Sequence, residues 1–184
     1  MRVIAGSARG RPLKGPPGRA SDVRPSSDLV RGALFDSLAA LGADFTHTLD
    51  LYAGTGALGI EALSRGGESC HFVEKNRAMA DVIRENLDAL AFTDSAQVIV
   101  APVERAIERL TGPYTLVLAD PPYADPAAIA LLERLAQSGA IDGDHGTIAL
   151  EHSTREEAAA AIGPFLLVRS LRHGDSSVSI YRPD

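Results

Sequence analysis

The chain is poor in cysteine: Cys70 is the only one in 184 residues. An intrachain disulfide framework is therefore excluded, and a reducing compartment, the cytoplasm, is expected. Cys70 itself reads as a small buried hydrophobe within a strand. No stretch approaches 18 consecutive apolar residues, so neither a membrane-spanning helix nor a membrane partner is expected. The opening MRVIAGSARGRPL lacks an apolar run followed by a small-residue cleavage site, so no secretory signal is expected. Internal repeats and long low-complexity tracts are also missing, and no metal site is expected.

Positive charge is scarce as well: 18 Lys and Arg stand against 24 Asp and Glu, a net of −6. Spread evenly, that balance would repel nucleic acid. It is not even. Residues 1–31 hold seven basic side chains (Arg2, Arg9, Arg11, Lys14, Arg19, Arg24, Arg31) and two acidic ones, whereas the rest holds 11 basic and 22 acidic. A basic arm precedes an acidic body. At 45% hydrophobic, the chain can bury a core, and its length fits one globular domain. The expected division is a hairpin arm over residues 1–26 and a main unit over residues 27–184, working as a monomer.

After the Gly-, Pro- and Arg-rich start, Leu29, Val30, Ala33, Leu34, Leu38 and Leu41 recur at helical spacing, and Gly42 closes the run. Strands and helices then alternate. Strands are expected at Thr48–Tyr52, Ser69–Glu74, Ala96–Val100, Tyr114–Ala119 and Thr147–Glu151. Helices are expected through Ser64, over Asn76 to Ala91, near Val103–Leu110, over Ala127–Gln137 and near Arg155–Ala161. The chain ends as a β-hairpin, Phe165–Leu171 and Val178–Arg182 around His173-Gly174-Asp175. Alternation of this kind gives a doubly wound α/β fold, mostly parallel, with a C-terminal antiparallel hairpin. Its ligands bind beyond the carboxyl ends of the strands.

Two loops there carry chemistry. The first reads Asp50-Leu51-Tyr52-Ala53-Gly54-Thr55-Gly56-Ala57-Leu58-Gly59, with Glu74 ending the following strand. G-x-G-x-x-G between strand and helix lets the backbone approach a ligand, and a carboxylate one strand away can grip ribose hydroxyls. This pattern alone fits NAD, FAD and S-adenosylmethionine (SAM) equally. Asp50 chooses among them: a carboxylate opposes a pyrophosphate but suits a sulfonium and an ammonium, so SAM is the expected cofactor. Asp50 can also cap nearby backbone N–H groups.

The second loop, Asp120-Pro121-Pro122-Tyr123, follows the fourth strand directly. Two prolines fix φ and remove donors, leaving carbonyls and one carboxylate facing outward. An exocyclic base amine is a poor nucleophile because its lone pair is spread into the ring. Acceptors at Asp120 and the Pro121 carbonyl can each take one N–H and aim that lone pair at a methyl group. Tyr123 is expected to stack on the base, which must leave its own stack to arrive.

Together these residues resemble the bacterial small-subunit 16S ribosomal RNA methyltransferase D family, which methylates the exocyclic N2 of one guanine. The resemblance runs from Arg2-Val3-Ile4-Ala5-Gly6 and Arg9-Gly10-Arg11 through Arg24-Pro25-Ser26-Ser27-Asp28 and Val30-Arg31. It continues through Asp50 to Gly66, Val73-Glu74-Lys75-Asn76, Asp120 to Tyr123, and Gly174-Asp175. It implies a Rossmann-like SAM-dependent methyltransferase with a seven-stranded sheet. Arg24, Pro25 and Ser26 would hold the methionine end of SAM. Asp50, Tyr52, Gly54, Thr55, Gly56, Glu74, Lys75 and Asp120 would complete its site. The arm would meet 16S ribosomal RNA, probed by Arg9, Arg11, Lys14 and Arg31, in an assembled or partly assembled small ribosomal subunit. Left to the residues alone, Ser26 or Ser27 also fits a helix N-cap. One departure stands out. Such enzymes carry Asp or Asn after the third strand to contact adenine, and here the residues are Ala101-Pro102-Val103. Backbone contact near Val103 and weaker SAM binding are expected instead. The alternative activity is methylation of adenine N6 in DNA or RNA through the same Asp-Pro-Pro-Tyr loop.

Overall fold

The computed structural model describes residues 1–16, 25–122 and 127–184, and of residues 25–27 the backbone alone. Arg24 and Tyr123, named above for the site, lie outside the described residues, as do the side chains of Pro25 and Ser26.

The elements run α1 (Pro25–Ala40), β1 (His47–Leu51), α2 (Ala57–Ser64), β2 (Ser69–Glu74), α3 (Arg77–Ala89), β3 (Ala96–Val100), α4 (Val103–Ala106), β4 (Leu116–Ala119), α5 (Ala128–Gln137), β5 (Thr147–Ser153), β6 (Ala161–Ile162), β7 (Phe165–His173) and β8 (Ser176–Pro183). They form one eight-stranded sheet in the order β3-β2-β1-β4-β5-β8-β7-β6. The first five strands of that order are parallel, and β8, β7 and β6 are antiparallel. This is the doubly wound fold with a C-terminal hairpin; the two-residue β6 adds an eighth strand at the hairpin's edge. Strand order reverses between β1 and β4, so their carboxyl ends open a crevice at the switch point.

β4 (LVLA) and the start of β5 (Ile148–Leu150) are continuous apolar runs because both faces are covered. On one face, Leu49, Leu51, Val73, Val117, Leu132 and Leu135 pack under α4 and α5. The other face divides in two. Ile60, Phe72, Ile83 and Leu87 lie under α2 and α3, and Leu34, Phe35, Leu38, Leu118 and Ile180 lie under α1. Gly59 is dictated by this packing: a Cβ there would sit 2.4 Å from the Phe72 ring and 2.6 Å from Cys70 Sγ, so α2 rests on β2 only without one. Asn76 caps α3 by accepting from the N–H groups of Ala78 and Met79.

The helix expected near Arg155–Ala161 does not form. Ser153 caps a turn there, accepting from Arg155 N–H at 3.2 Å and Glu156 N–H at 3.0 Å. The strand directions explain this. The antiparallel order β5-β8-β7-β6 starts β6 at the same end of the sheet where β5 stops, so no crossover helix is required. The segment after Val103 likewise holds a single helical turn.

The N-terminal segment forms a narrow hairpin, with Val3 N–H donating to the Arg11 carbonyl at 3.0 Å and Gly10 N–H to the Val3 carbonyl at 2.8 Å. It is clasped to the body. Val3, Ala8 and Leu13 are buried in the core under α2 and α3. The buried Glu61 carboxylate accepts from Ile4 and Ala5 N–H at 2.8 and 3.0 Å. Asn86 accepts from Lys14 N–H at 2.7 Å and donates to the Thr55 carbonyl at 3.1 Å, tying the hairpin to the glycine loop.

Candidate active site

A cleft opens at the switch point. One chamber of about 650 Å³ is lined by Asp50, Tyr52, Gly54, Thr55, Asp120 and Glu151, among others. A second, about 410 Å³, is lined by Val73, Glu74, Lys75, Val103, Asp120 and Pro121. Tyr52 and Asp120 belong to both chambers, so they mark the waist of one elongated site.

The glycine loop bends sharply: Tyr52, Gly54 and Gly56 have φ of 58°, 55° and 78°. Such values suit glycine and strain tyrosine, a strain commonly held at functional sites. Gly56 is buried behind the loop as the N-cap of α2 and shapes the turn without lining either chamber. The Glu74 carboxylate fastens the loop. One oxygen accepts from Gly54 N–H at 2.9 Å and the other from Asn76 N–H at 2.7 Å. Each oxygen keeps a further lone pair for a ligand hydroxyl.

Asp50 is buried and accepts from Gly59 N–H at 2.8 Å. It caps α2 through that bond and borders the larger chamber. Burial pushes its carboxyl well above the ordinary range; the Gly59 bond opposes this, and Asp120 and Glu74 add to it. Asp120 is raised to about 7, first by burial and then by the Glu151 charge. Its side chain stays open to the cleft while protein packs around it. A cation entering here would relieve the repulsion among these carboxylates.

Arg31, expected to meet RNA, lies inside the fold instead. Its side chain is only 4% exposed. It pairs with Asp28 at 2.9 Å and Glu61 at 3.7 Å and donates to the Arg2 carbonyl. Already spent inside the fold, it is not available to an RNA phosphate. Arg9, Arg11 and Lys14 are exposed away from the cleft; Arg11 donates to the Ala89 carbonyl at 2.7 Å and Lys14 reaches Glu85 at 3.0 Å.

Sequence reasoning missed Glu151 and the β7–β8 turn, whose His173, Gly174 and Asp175 wall the larger chamber. A signal for Glu151 was present. Like Asp50, Glu74 and Asp120, it is an acidic residue at the carboxyl end of a parallel strand.

Sheet order, switch-point cleft and glycine loop define a Rossmann-like methyltransferase fold. A solved structure described as "Putative methyltransferase yhhF from Escherichia coli" superposes with a TM-score of 0.86 at 29% identity, covering 100% of this chain and 98% of that one. A Thermus thermophilus protein, TTHA0928, does so with a TM-score of 0.79 at 29% identity, covering 98% of each chain. The family model described as conserved hypothetical protein 95 matches residues 1–182. "Putative rRNA methyltransferase YlbH" of Bacillus subtilis is 37% identical over 99% of this chain and 98% of its own length. "Ribosomal RNA small subunit methyltransferase D" of Escherichia coli is 37% identical over 67% of this chain and 60% of its own length. The chain belongs to this family, that of the small-subunit ribosomal RNA methyltransferase D proteins.

Proposed function

We propose that the chain transfers the methyl group of SAM to the exocyclic N2 of a guanine in 16S ribosomal RNA, acting as a monomer on an assembled or partly assembled small subunit. The observation that carries this reading is the meeting of an acidic, two-chambered cleft with the Asp-Pro-Pro rim at a single residue, Asp120.

The residues fit the cofactor in charge and in space. The larger chamber is walled by Asp50, Asp120, Glu151 and Asp175, and its one arginine among the described residues, Arg31, is neutralised by Asp28 and Glu61. That suits the ammonium and sulfonium of SAM and repels a pyrophosphate. In the smaller chamber Val73 and Val103 offer apolar walls for a purine, and Glu74 offers free lone pairs to ribose. The backbone at Val103 would take the place of the Asp or Asn side chain that similar enzymes offer to adenine. When bound, SAM supplies a methyl group already activated by a positively charged sulfur.

What remains for the protein is positioning and electrostatics. Asp120 and the Pro121 carbonyl each accept one N–H of the target amine, which localises its lone pair. Asp120 in its ionised form also takes the surplus proton once the nitrogen–carbon bond has formed. A target base reaches this point only after leaving its stack, at a cost of a few kcal/mol. Titrating SAM into assays with small-subunit particles, naked 16S RNA and duplex DNA tests the reading: methyl transfer is expected to the ribosomal substrates and not to the duplex.

Glu74→Ala is expected to weaken SAM by about 1.5–3 kcal/mol, the value of hydrogen bonds to a charged acceptor, and to loosen the Gly54 turn as well. Calorimetry checks this, and unchanged affinity would contradict it. NAD added to the wild-type protein should give no heat.

RNA attraction must come from the basic hairpin, because the body is acidic. Each phosphate contact adds roughly 0.7–0.9 to the slope of log affinity against log salt. Replacing Arg9, Arg11 and Lys14 together with alanine is expected to flatten that slope by about 2–3 units. SAM affinity should hold, since these side chains lie outside the cleft. An unchanged slope with normal activity would leave the hairpin a structural clasp only.

A further inference from the structure

Glu151 adds to the acidic wall of the larger chamber, but the proposed transfer step gives it no task. In the parallel β4–β5 ladder Ala119 pairs with Leu150, so the next residues, Asp120 and Glu151, stand side by side on adjacent strand ends. Glu151 is half-buried, and among the described residues nothing pairs with its carboxylate. It lines the larger chamber and also a third one, about 410 Å³, opening behind Pro121 and Pro122. That third chamber has apolar walls from Ile129, Leu150 and Tyr181 and an acidic rim from Glu151, Glu156 and Glu157. A flat ring with hydrogen-bond donors on its edge suits such a space, and a phosphate does not.

Two neighbouring carboxylates call for a ligand edge with two neighbouring donors. Nucleobases differ on this point. The guanine N2 amine lies beside the ring N1–H, a donor. The adenine N6 amine lies beside N1 and near N7, and the cytosine N4 amine beside N3; all of these ring nitrogens are acceptors. We infer that Glu151 is the residue that selects guanine, accepting the ring N1–H while Asp120 accepts an amine N–H. This rests on the proposed transfer to guanine N2. Adenine or cytosine placed the same way would aim a lone pair at the Glu151 carboxylate and leave a charged acceptor without a partner. Sites built to bond a particular donor reject analogues that lack it.

The test compares the wild-type protein with Glu151→Gln and Glu151→Asp. Small-subunit particles from cells lacking the modification are methylated with SAM, and digested nucleosides are identified by mass spectrometry. Glu151→Gln is expected to lower kcat/KM for N2-methylguanosine about 10- to 100-fold, the range for losing a charged acceptor. Rates are taken at saturating SAM, because Glu151 also contributes to the acidic wall of the larger chamber, and the acid limb of the rate profile should move to lower pH because the charge beside Asp120 is gone. The second readout uses particles reconstituted with the target guanine changed to adenine. Wild type should leave them unmodified, whereas Glu151→Gln, whose amide can donate to adenine N1, should form N6-methyladenosine. Full guanine turnover together with unchanged rejection of adenine in Glu151→Gln would overturn the inference. If that variant does not fold, Glu151→Asp carries the test: it keeps the charge but withdraws it, so a smaller loss on guanine is expected, and no loss overturns the inference. Absence of N2-methylguanosine with the wild-type protein would instead refute the functional reading itself.

Discussion

Replacing Asp120 with alanine is expected to lower methyl transfer by about 10²-fold or more, with a much smaller loss of SAM affinity. The carboxylate stands at the waist shared by both chambers and directly precedes the two prolines. In the proposed mechanism its service as an acceptor matters most when positive charge builds on the attacking nitrogen, so the loss should fall on turnover. Its ionisation sets a pH dependence. Burial first, and Glu151 second, raise its carboxyl to about 7. With cofactor subsaturating, kcat/KM is therefore expected to fall as pH drops through about 7 and to level off above it. A bound sulfonium stabilises the ionised form, so the acid limb of kcat should lie lower. The same shift has a stability sign. A carboxyl raised on folding favours the folded state while protonated, and that contribution is lost as pH rises through about 7. Water reaches Asp120 in the open cleft, which keeps the contribution small. The alanine variant should then melt no lower than wild type at pH 8. Single-turnover assays across pH, alongside calorimetry, check both parts. Near-normal turnover in the variant would remove Asp120 from the mechanism.

Glu61→Ala should have the largest effect on stability. The Glu61 side chain is fully buried. It binds Arg65 at 2.9 Å and Arg31 at 3.7 Å, and it accepts the N–H groups of Ile4 and Ala5. Alanine would leave the buried Arg31 with Asp28 alone for counter-charge and two backbone donors without acceptors. Breaking such a pair from one side costs about 3–5 kcal/mol. For a domain of this size that corresponds to a drop in Tm of roughly 6–20 °C. The N-terminal hairpin should loosen first, because Glu61 is its main anchor, and proteolysis near residues 4–10 should speed up. A melting temperature within a degree of wild type would mean that the clasp is not structural.

Elements with strong periodicity were readable from the sequence because local pattern and tertiary demand agree there. The strand ending in Asp50, the loop to Gly59 and the strand ending in Glu74 are of this kind. Residues 155–161 were not, since Glu and Ala favour helix locally while the antiparallel path from β5 to β6 leaves no crossover to fill. The burial of Arg31 is hidden from the sequence for a related reason. Charge counting sees a cation within a basic arm but cannot see that Glu61, from α2, joins Asp28, one turn earlier on α1, in converging on it. Glu61 gave no sign at all: it lies mid-helix in a run that reads as amphipathic, and its importance comes from a segment more than fifty residues away. Glu151 was legible in principle, as the acidic end of a fifth strand, once the other strand ends are considered together.

The central claim, methyl transfer to guanine N2 in 16S ribosomal RNA, is tested most directly by the chemical identity of the product. Small-subunit particles from cells lacking the modification are incubated with the protein and SAM carrying a labelled methyl group. The ribosomal RNA is then digested to nucleosides and the labelled one identified by mass spectrometry. The account predicts label in N2-methylguanosine, at close to one per particle, and none with Asp120→Ala. Label in N6-methyladenosine, or transfer to duplex DNA with none to the particles, would contradict it.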